Sequence, residues 1–126
     1  MIHLDTSFLV RALIAGTTEA VRLHEWVREG EPLGISTPAW AEYLCGPIPQ
    51  GLVDDVSSIL REPFPFGTDE AQLAARLFNE SGRRRGSLVD CMIAAIAIAS
   101  DATLATSNPS DFRRLEPLGL RLASPT

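Results

Sequence analysis

At 126 residues the chain has the size of one domain, expected to occupy residues 1–126 as a unit. Hydrophobic residues make up 45% and charged residues 21%, a balance that excludes general disorder and can fill a core. The formal net charge of −5 excludes a broad polyanion-binding surface, and all 11 basic residues are arginine, which excludes chemistry that needs a lysine ammonium.

In chain order, Ile2 to Leu4 predicts a short strand ending at Asp5, followed by a helix carrying Phe8, Leu9, Ala12 and Leu13 before Gly16. A second helix is expected over Thr18 to Glu29, with Ala20, Leu23, Trp26 and Val27 on one face and Gly30 as its stop. Leu33 to Ser36 predicts another strand. Thr37 as N-cap, Pro38 at the first helical position and Gly46 past the end then bracket a third helix, with Trp40 and Leu44 on its apolar face and Glu42 roughly opposite. Leu52 to Leu60 repeats the helical pattern, and Phe64 to Phe66 fits an edge strand, because Pro65 cannot donate to a central ladder.

Thr68 is expected to cap a helix through Phe78, with Asp69 and Glu70 in its first turn and Gly82 after its end. Beyond the run Arg83, Arg84, Arg85, Gly86, a strongly apolar helix is expected from Ser87 to about Ser100, then a buried strand over Thr103 to Thr106. Asn108 and Pro109 open one helical turn, and Leu118 to Leu122 fits a last strand. This alternation predicts an α/β fold with a parallel sheet covered by helices.

The longest apolar stretch, Cys91 to Ala99, falls short of the roughly 20 residues that span a bilayer, and no basic-then-apolar segment opens the chain. The expectation is a cytoplasmic protein without membrane contact, whose two separated cysteines, Cys45 and Cys91, are buried and reduced.

Ligands gather at the edge where parallel strands end, and the acids can be placed against it. Asp5 ends the first strand, Glu42 lies in the helix entered from the second, Asp111 follows the Thr103 to Thr106 strand, and a crossover helix would start with Asp90 at the same edge. Each acid alone has an ordinary explanation. Asp5 can cap the first helix, Ser87 with Asp90 fits a capping box, Asn108 with Asp111 nearly does, and Glu42 reads as a solvated surface charge. Together they do not: carboxylates about 4 Å apart repel by roughly 4 kcal/mol at an effective dielectric of about 20. Asp90 is also the only charged residue from Leu88 through Ala99, so a cation is expected beside it. Hard oxygen ligands select Mg²⁺ or Mn²⁺, ions suited to phosphodiester cleavage.

The segments I-H-L-D-T-S-F-L-V, A-E-Y-L, S-L-V-D-C-M-I-A-A-I-A and T-L-A-T-S-N-P-S-D-F resemble, in order and spacing, the PIN domain, particularly VapC-type toxins of toxin–antitoxin pairs. The resemblance covers nearly the whole chain. It implies a three-layer α/β/α fold with a central mainly parallel sheet, and an endoribonuclease whose acids hold one or two Mg²⁺ ions, with Mn²⁺ as substitute. Asp5, Glu42 and Asp90 inherit metal-binding and catalytic roles in that scheme, and Thr6 or Ser7 bonds the scissile phosphate or a water. Where many relatives carry a fourth aspartate this chain has Asn108, so either Asp111 or Asn108 takes that place. The resemblance also implies a cognate antitoxin and a homodimer.

Arg83, Arg84 and Arg85 before the Asp90 helix, and Arg113 and Arg114 after Asp111, are candidate RNA phosphate grips, with a solvated charge run as the alternative. His3, His24, both tryptophans and the five phenylalanines read as packing or surface residues, not as ligands or a stacking platform. Receiver and haloacid-dehalogenase-like domains also place an aspartate after the first strand. The former rely on a lysine, absent here, and the latter carry a second aspartate where this chain has Ser7. A catalytically silent PIN-like module that only binds a protein partner is the remaining alternative.

Overall fold

In the computed structural model, which describes residues 1–123, three short parallel strands are ordered β2-β1-β3. They are β1 (Ile2–Leu4), β2 (Leu33–Gly34) and β3 (Thr103–Ala105), with Ile2 paired to both Leu33 and Thr103 and Leu4 to Ala105. The helices are α1 (Thr6–Ala12), α2 (Thr18–Glu29), α3 (Thr37–Leu44), α4 (Gln50–Ile59), α5 (Thr68–Glu80) and α6 (Leu88–Ala99). Two 3-10 helices, Pro109–Asp111 and Arg113–Leu118, follow β3. This is the expected α/β architecture. Successive residues of β1 point to opposite faces, and Ile2, His3 and Leu4 are all buried, so helices cover the sheet on both sides. Helix α1 packs on α2, α5 on α6, and α3 touches both α1 and α6.

Local chemistry explains where the elements begin and end. Thr17 caps α2, its hydroxyl accepting from the Ala20 N–H at 3.0 Å, and Gly30 stops the helix at φ 74°, a left-handed conformation that glycine adopts without strain. Helix α3 starts one residue earlier than expected: Ser36, not Thr37, is the cap, its hydroxyl accepting from the Ala39 N–H at 3.2 Å. Gly67, not Thr68, caps α5, with Glu70 Oε1 accepting from the Gly67 N–H at 3.0 Å, and the helix runs two residues past Phe78. The expected edge strand at Phe64 to Phe66 shrinks to one parallel bridge between Ser36 and Phe64, because Pro65 offers no N–H to extend it. The expected last strand likewise reduces to one bridge between Leu104 and Leu122, since the chain stays in 3-10 helix through Leu118.

The core is built around α6, whose Cys91, Ile93, Ala94, Ala95 and Ala97 join Leu4, Leu9, Ile35, Leu77, Leu104 and Phe112. Cys91 is buried as expected. Cys45 is not: it follows the last turn of α3 and is exposed. On the same helix Ala39 and Tyr43 form the buried face, while Leu44, expected there, is 45% exposed. Among the described residues no helix is long and apolar enough to cross a membrane.

His3 is a packing residue, with a consequence for stability. Only 1% exposed, its ring lies 4.6 Å from that of Phe64 and both ring nitrogens lack a hydrogen-bond partner among the described residues. Space for the ring exists because position 34 is glycine, where a Cβ would stand 2.9 Å from His3 Cδ2. Burial, with the nearby N-terminal charge, lowers its pKa from 6.5 to about 4. The fold therefore favours the neutral ring. The stability it protects is full above pH 6.5 and is lost as pH falls towards 4, by up to roughly 3 kcal/mol. Relative to wild type, His3→Leu is expected to lose less stability between pH 7 and pH 4.5 in urea titrations; an equal loss in both proteins would refute this account.

Candidate functional site

Every predicted acid lies at the C-terminal edge of the sheet or on an element that starts or ends there, and none is used as a cap. Asp5 occupies the N-cap position of α1 with extended backbone (φ −75°, ψ 153°), yet its carboxylate makes no capping bond. Its backbone N–H instead donates to Ala105 O at 2.9 Å, carrying the β1–β3 ladder one residue further. Its Oδ2 accepts from Ser7 Oγ at 2.7 Å and from Thr106 Oγ1 at 2.9 Å. Ser87 caps nothing with its side chain either, donating to Arg84 O at 2.7 Å, so the capping box with Asp90 does not form. The Asn108 side chain makes no cap bond, and the Asn108 backbone N–H donates to Thr106 Oγ1 at 3.0 Å. The ordinary explanations for Asp5, Asp90 and Asp111 are thus not the ones the fold uses.

Electrostatics joins these acids. The Asp90 carboxyl is pushed up to about 6, first by burial and then by the charges of Asp5, Asp111 and Glu42, with Arg114 pulling the other way. Glu42 is raised as well, by burial and by Asp5, while a bond from Thr6 Oγ1 at 3.3 Å opposes the shift. Thr6 Oγ1 also lies 2.9 Å from Ala39 O, fixing the start of α1 against α3. Glu42 stands on the exposed side of α3, as periodicity indicates, and that side faces the rim. Four carboxylates therefore share one field centred on Asp90.

Among the described residues, no three histidine, cysteine, aspartate or glutamate side chains stand close enough to hold a metal ion as they are. The donor set nonetheless suits a hard divalent cation: it is all carboxylate oxygen, it carries excess negative charge felt at Asp90, and the two hydroxyls on Asp5 leave Oδ1 outside their bonds.

The arginines divide. Arg84 Nη2 lies 3.9 Å from Asp111 Oδ1, and Arg83, at φ 56°, donates from Nε to Asn79 Oδ1 at 3.1 Å. Arg85 is exposed. Arg113 is exposed and lines a cavity beside the acids, whereas Arg114 turns inward, its Nε buried without a partner among the described residues. Asp111 is near enough for its charge to reach Asp90; the Asn108 amide brings none.

Two features had no signal in periodicity or motif. Glu19, in the first turn of α2, accepts from Ser107 Oγ at 2.7 Å, Arg11 Nε at 2.8 Å and Thr18 Oγ1 at 3.0 Å, and these bonds, Ser107 foremost, hold its carboxyl at about 2. Ser107 in turn donates its N–H to Ser7 Oγ at 3.1 Å, so a chain of bonds links Glu19 to Asp5. The second is the cavity itself, about 470 Å³, walled by Phe8, Glu19, Arg22, Trp26, Ser107 and Arg113 among others.

The chain is similar to VapBC2 from Rickettsia felis, solved bound to a DNA fragment from their promoter, at 27% identity and TM-score 0.76, covering 98% of each chain. A toxin–antitoxin complex from Klebsiella pneumoniae matches in fold at 21% identity and TM-score 0.78, over 100% of this chain and 98% of that one. VapBC-5 of Mycobacterium tuberculosis, a member of the VapBC family of toxin–antitoxin systems, matches at 25% identity and TM-score 0.63 over 95% and 97%. No curated protein matches in sequence. A family model described as PIN domain matches residues 2–117. Nearly the whole fold, with all four acids inside the matched span, is thus accounted for by one family: the chain belongs to the PIN domain family.

Proposed function

We propose that this PIN domain, acting as one unit over residues 1–126, is the toxin of a toxin–antitoxin pair, a Mg²⁺- or Mn²⁺-dependent endoribonuclease. The observation that carries the reading is the shared field at Asp90, raised by three other carboxylates that come from separate parts of the chain. Asp5, Glu42, Asp90 and Asp111 would hold the ion or ions. Asp111 takes the fourth place ahead of Asn108 because only a charged group adds to that field. When bound, the metal supplies Lewis acidity towards the scissile phosphate and lowers the pKa of water.

The remaining roles fall to the chain's own groups. Ser7 and Thr106 orient the Asp5 carboxylate, and Thr6 steadies Glu42. Arg83, Arg84, Arg85 and Arg113 are the RNA-facing cations, while Arg114, turned inward, offsets the charge of Asp90. A cognate antitoxin as partner follows from the complexes named above, and a homodimer in the cytoplasm from the family resemblance. The specific observation behind the alternative, a non-cleaving protein-binding module, is that no three donors are close enough to grip a metal ion as they stand.

The test is direct. Purified chain, freed of any antitoxin and given Mg²⁺, is expected to cut RNA into fragments with 5′-phosphate and 3′-hydroxyl ends, read by end-labelling. Intact RNA after prolonged incubation would leave the binding-module reading in its place.

A further inference from the structure

We propose that the 470 Å³ cavity beside the acids is a nucleobase subsite that receives the base of a nucleotide flanking the scissile phosphate and so biases where the RNA is cut. The inference rests on the nuclease reading for the identity of the polymer, but base binding itself needs no cleavage.

Position comes first. Thr106 and Ser107 line the cavity, and the same two residues engage the acid site: Thr106 Oγ1 donates to Asp5 Oδ2 at 2.9 Å and the Ser107 N–H to Ser7 Oγ at 3.1 Å. Thr106 and Ser107 therefore join the cavity to the acid site, although none of the four acids lines it. The volume lies within the range of small-molecule sites, which runs from about 300 to 1,000 Å³.

The walls then select the occupant. The Arg22 guanidinium lies over the Trp26 ring, 4.8 Å from its centroid, and Trp26 stacks on Phe8 at 5.5 Å. A guanidinium backed by an indole is a flat surface on which bases splayed from RNA stack. Neither Arg22 nor Arg113 forms an ion pair among the described residues. The lining also holds two glutamates, Glu19, already paired with Arg11 at 2.8 Å, and Glu116. The cavity therefore offers donors from its guanidinium groups and acceptors from its carboxylates. That combination of donors and acceptors matches the edge of a base.

The full-length ¹⁵N-labelled protein in metal-free buffer would be titrated with AMP, GMP, CMP and UMP, with ribose 5-phosphate as control, and followed by NMR. Shifts are expected at Arg22, the Trp26 indole N–H, Ser107 and Arg113, with one base favoured by about fivefold or more. The control should leave them in place. Arg22→Ala is expected to weaken the favoured nucleotide about tenfold, as loss of a stacking surface does, and Arg113→Gln, a surface change, serves if that variant misfolds. Equal shifts with ribose 5-phosphate, no shifts with any nucleotide, or shifts only with an antitoxin-derived peptide would each overturn the proposal. Base binding by a protein that cuts no RNA would instead count against the nuclease reading alone.

Discussion

Asp90→Asn is expected to lower RNA cleavage at least about a thousandfold, equivalent to roughly 4 kcal/mol of transition-state stabilisation, and at the same time to make the metal-free protein more stable. Both effects have one cause. A carboxylate that the fold holds near pKa 6, when its ordinary value is 3.8, is charged at pH 7 against the preference of its surroundings. The folded state favours the protonated acid, so this contribution stabilises at low pH and is lost as pH rises from 3.8 through 6. A two-unit shift is worth at most about 3 kcal/mol, and solvent screening at a half-buried group reduces that to roughly 1–2.

Relief of that cost in Asp90→Asn should raise Tm at pH 7 by roughly 3–8 °C, with the difference shrinking towards pH 4. A gain in stability with loss of activity is the pattern of a strained functional group. The variant is measured by RNA cleavage and by thermal melts at both pH values. A variant that cuts RNA at the wild-type rate, or one less stable than wild type at pH 7, would remove Asp90 from the centre of the site. His3 acts in the opposite sense over the same window, losing stability as pH falls, so each group is read against wild type through its own variant.

The second large effect is on metal dependence. Chelation with EDTA is expected to abolish cleavage, and Mg²⁺ or Mn²⁺ to restore it. An ion at a hundred times its dissociation constant stabilises the fold by about 2.7 kcal/mol, and the rise in Tm should be largely absent in Asp90→Asn. The melt is informative because it needs no RNA substrate. Cleavage that survives thorough chelation, or a Tm indifferent to Mn²⁺, would rule out the metal site; a protein that neither cuts RNA nor responds to metal would favour the protein-binding module.

Much of the fold was legible because its signals are local. Helix α2 was expected over Thr18 to Glu29 and lies there, since an apolar stripe and a terminal glycine suffice to define it. Strand β1 was equally plain, a short apolar run ending on an acid. Errors arose where two local signals competed. Ser36 and Thr37 are both good caps, and Gly67 took the cap of α5 because Glu70 reaches back to its N–H. Periodicity points Leu44 inward and an apolar context does the same for Cys45, but α3 turns Ala39 and Tyr43 to the core.

By itself the sequence determined the six helices and three paired strands of the described residues in their order, the parallel sheet, and the four acids that a shared edge would gather, since hydrophobic period and capping chemistry act within a few residues. Only the tertiary structure decided that Asp5 is held by Thr106, 101 residues away, that Asp90 feels three other carboxylates, that Arg114 turns in while Arg113 faces a cavity, and that Glu19 braces the loop beside it. Those facts depend on distance through space. Coulomb energy and hydrogen bonding fall off over a few ångströms whatever the separation along the chain, so no local pattern encodes them.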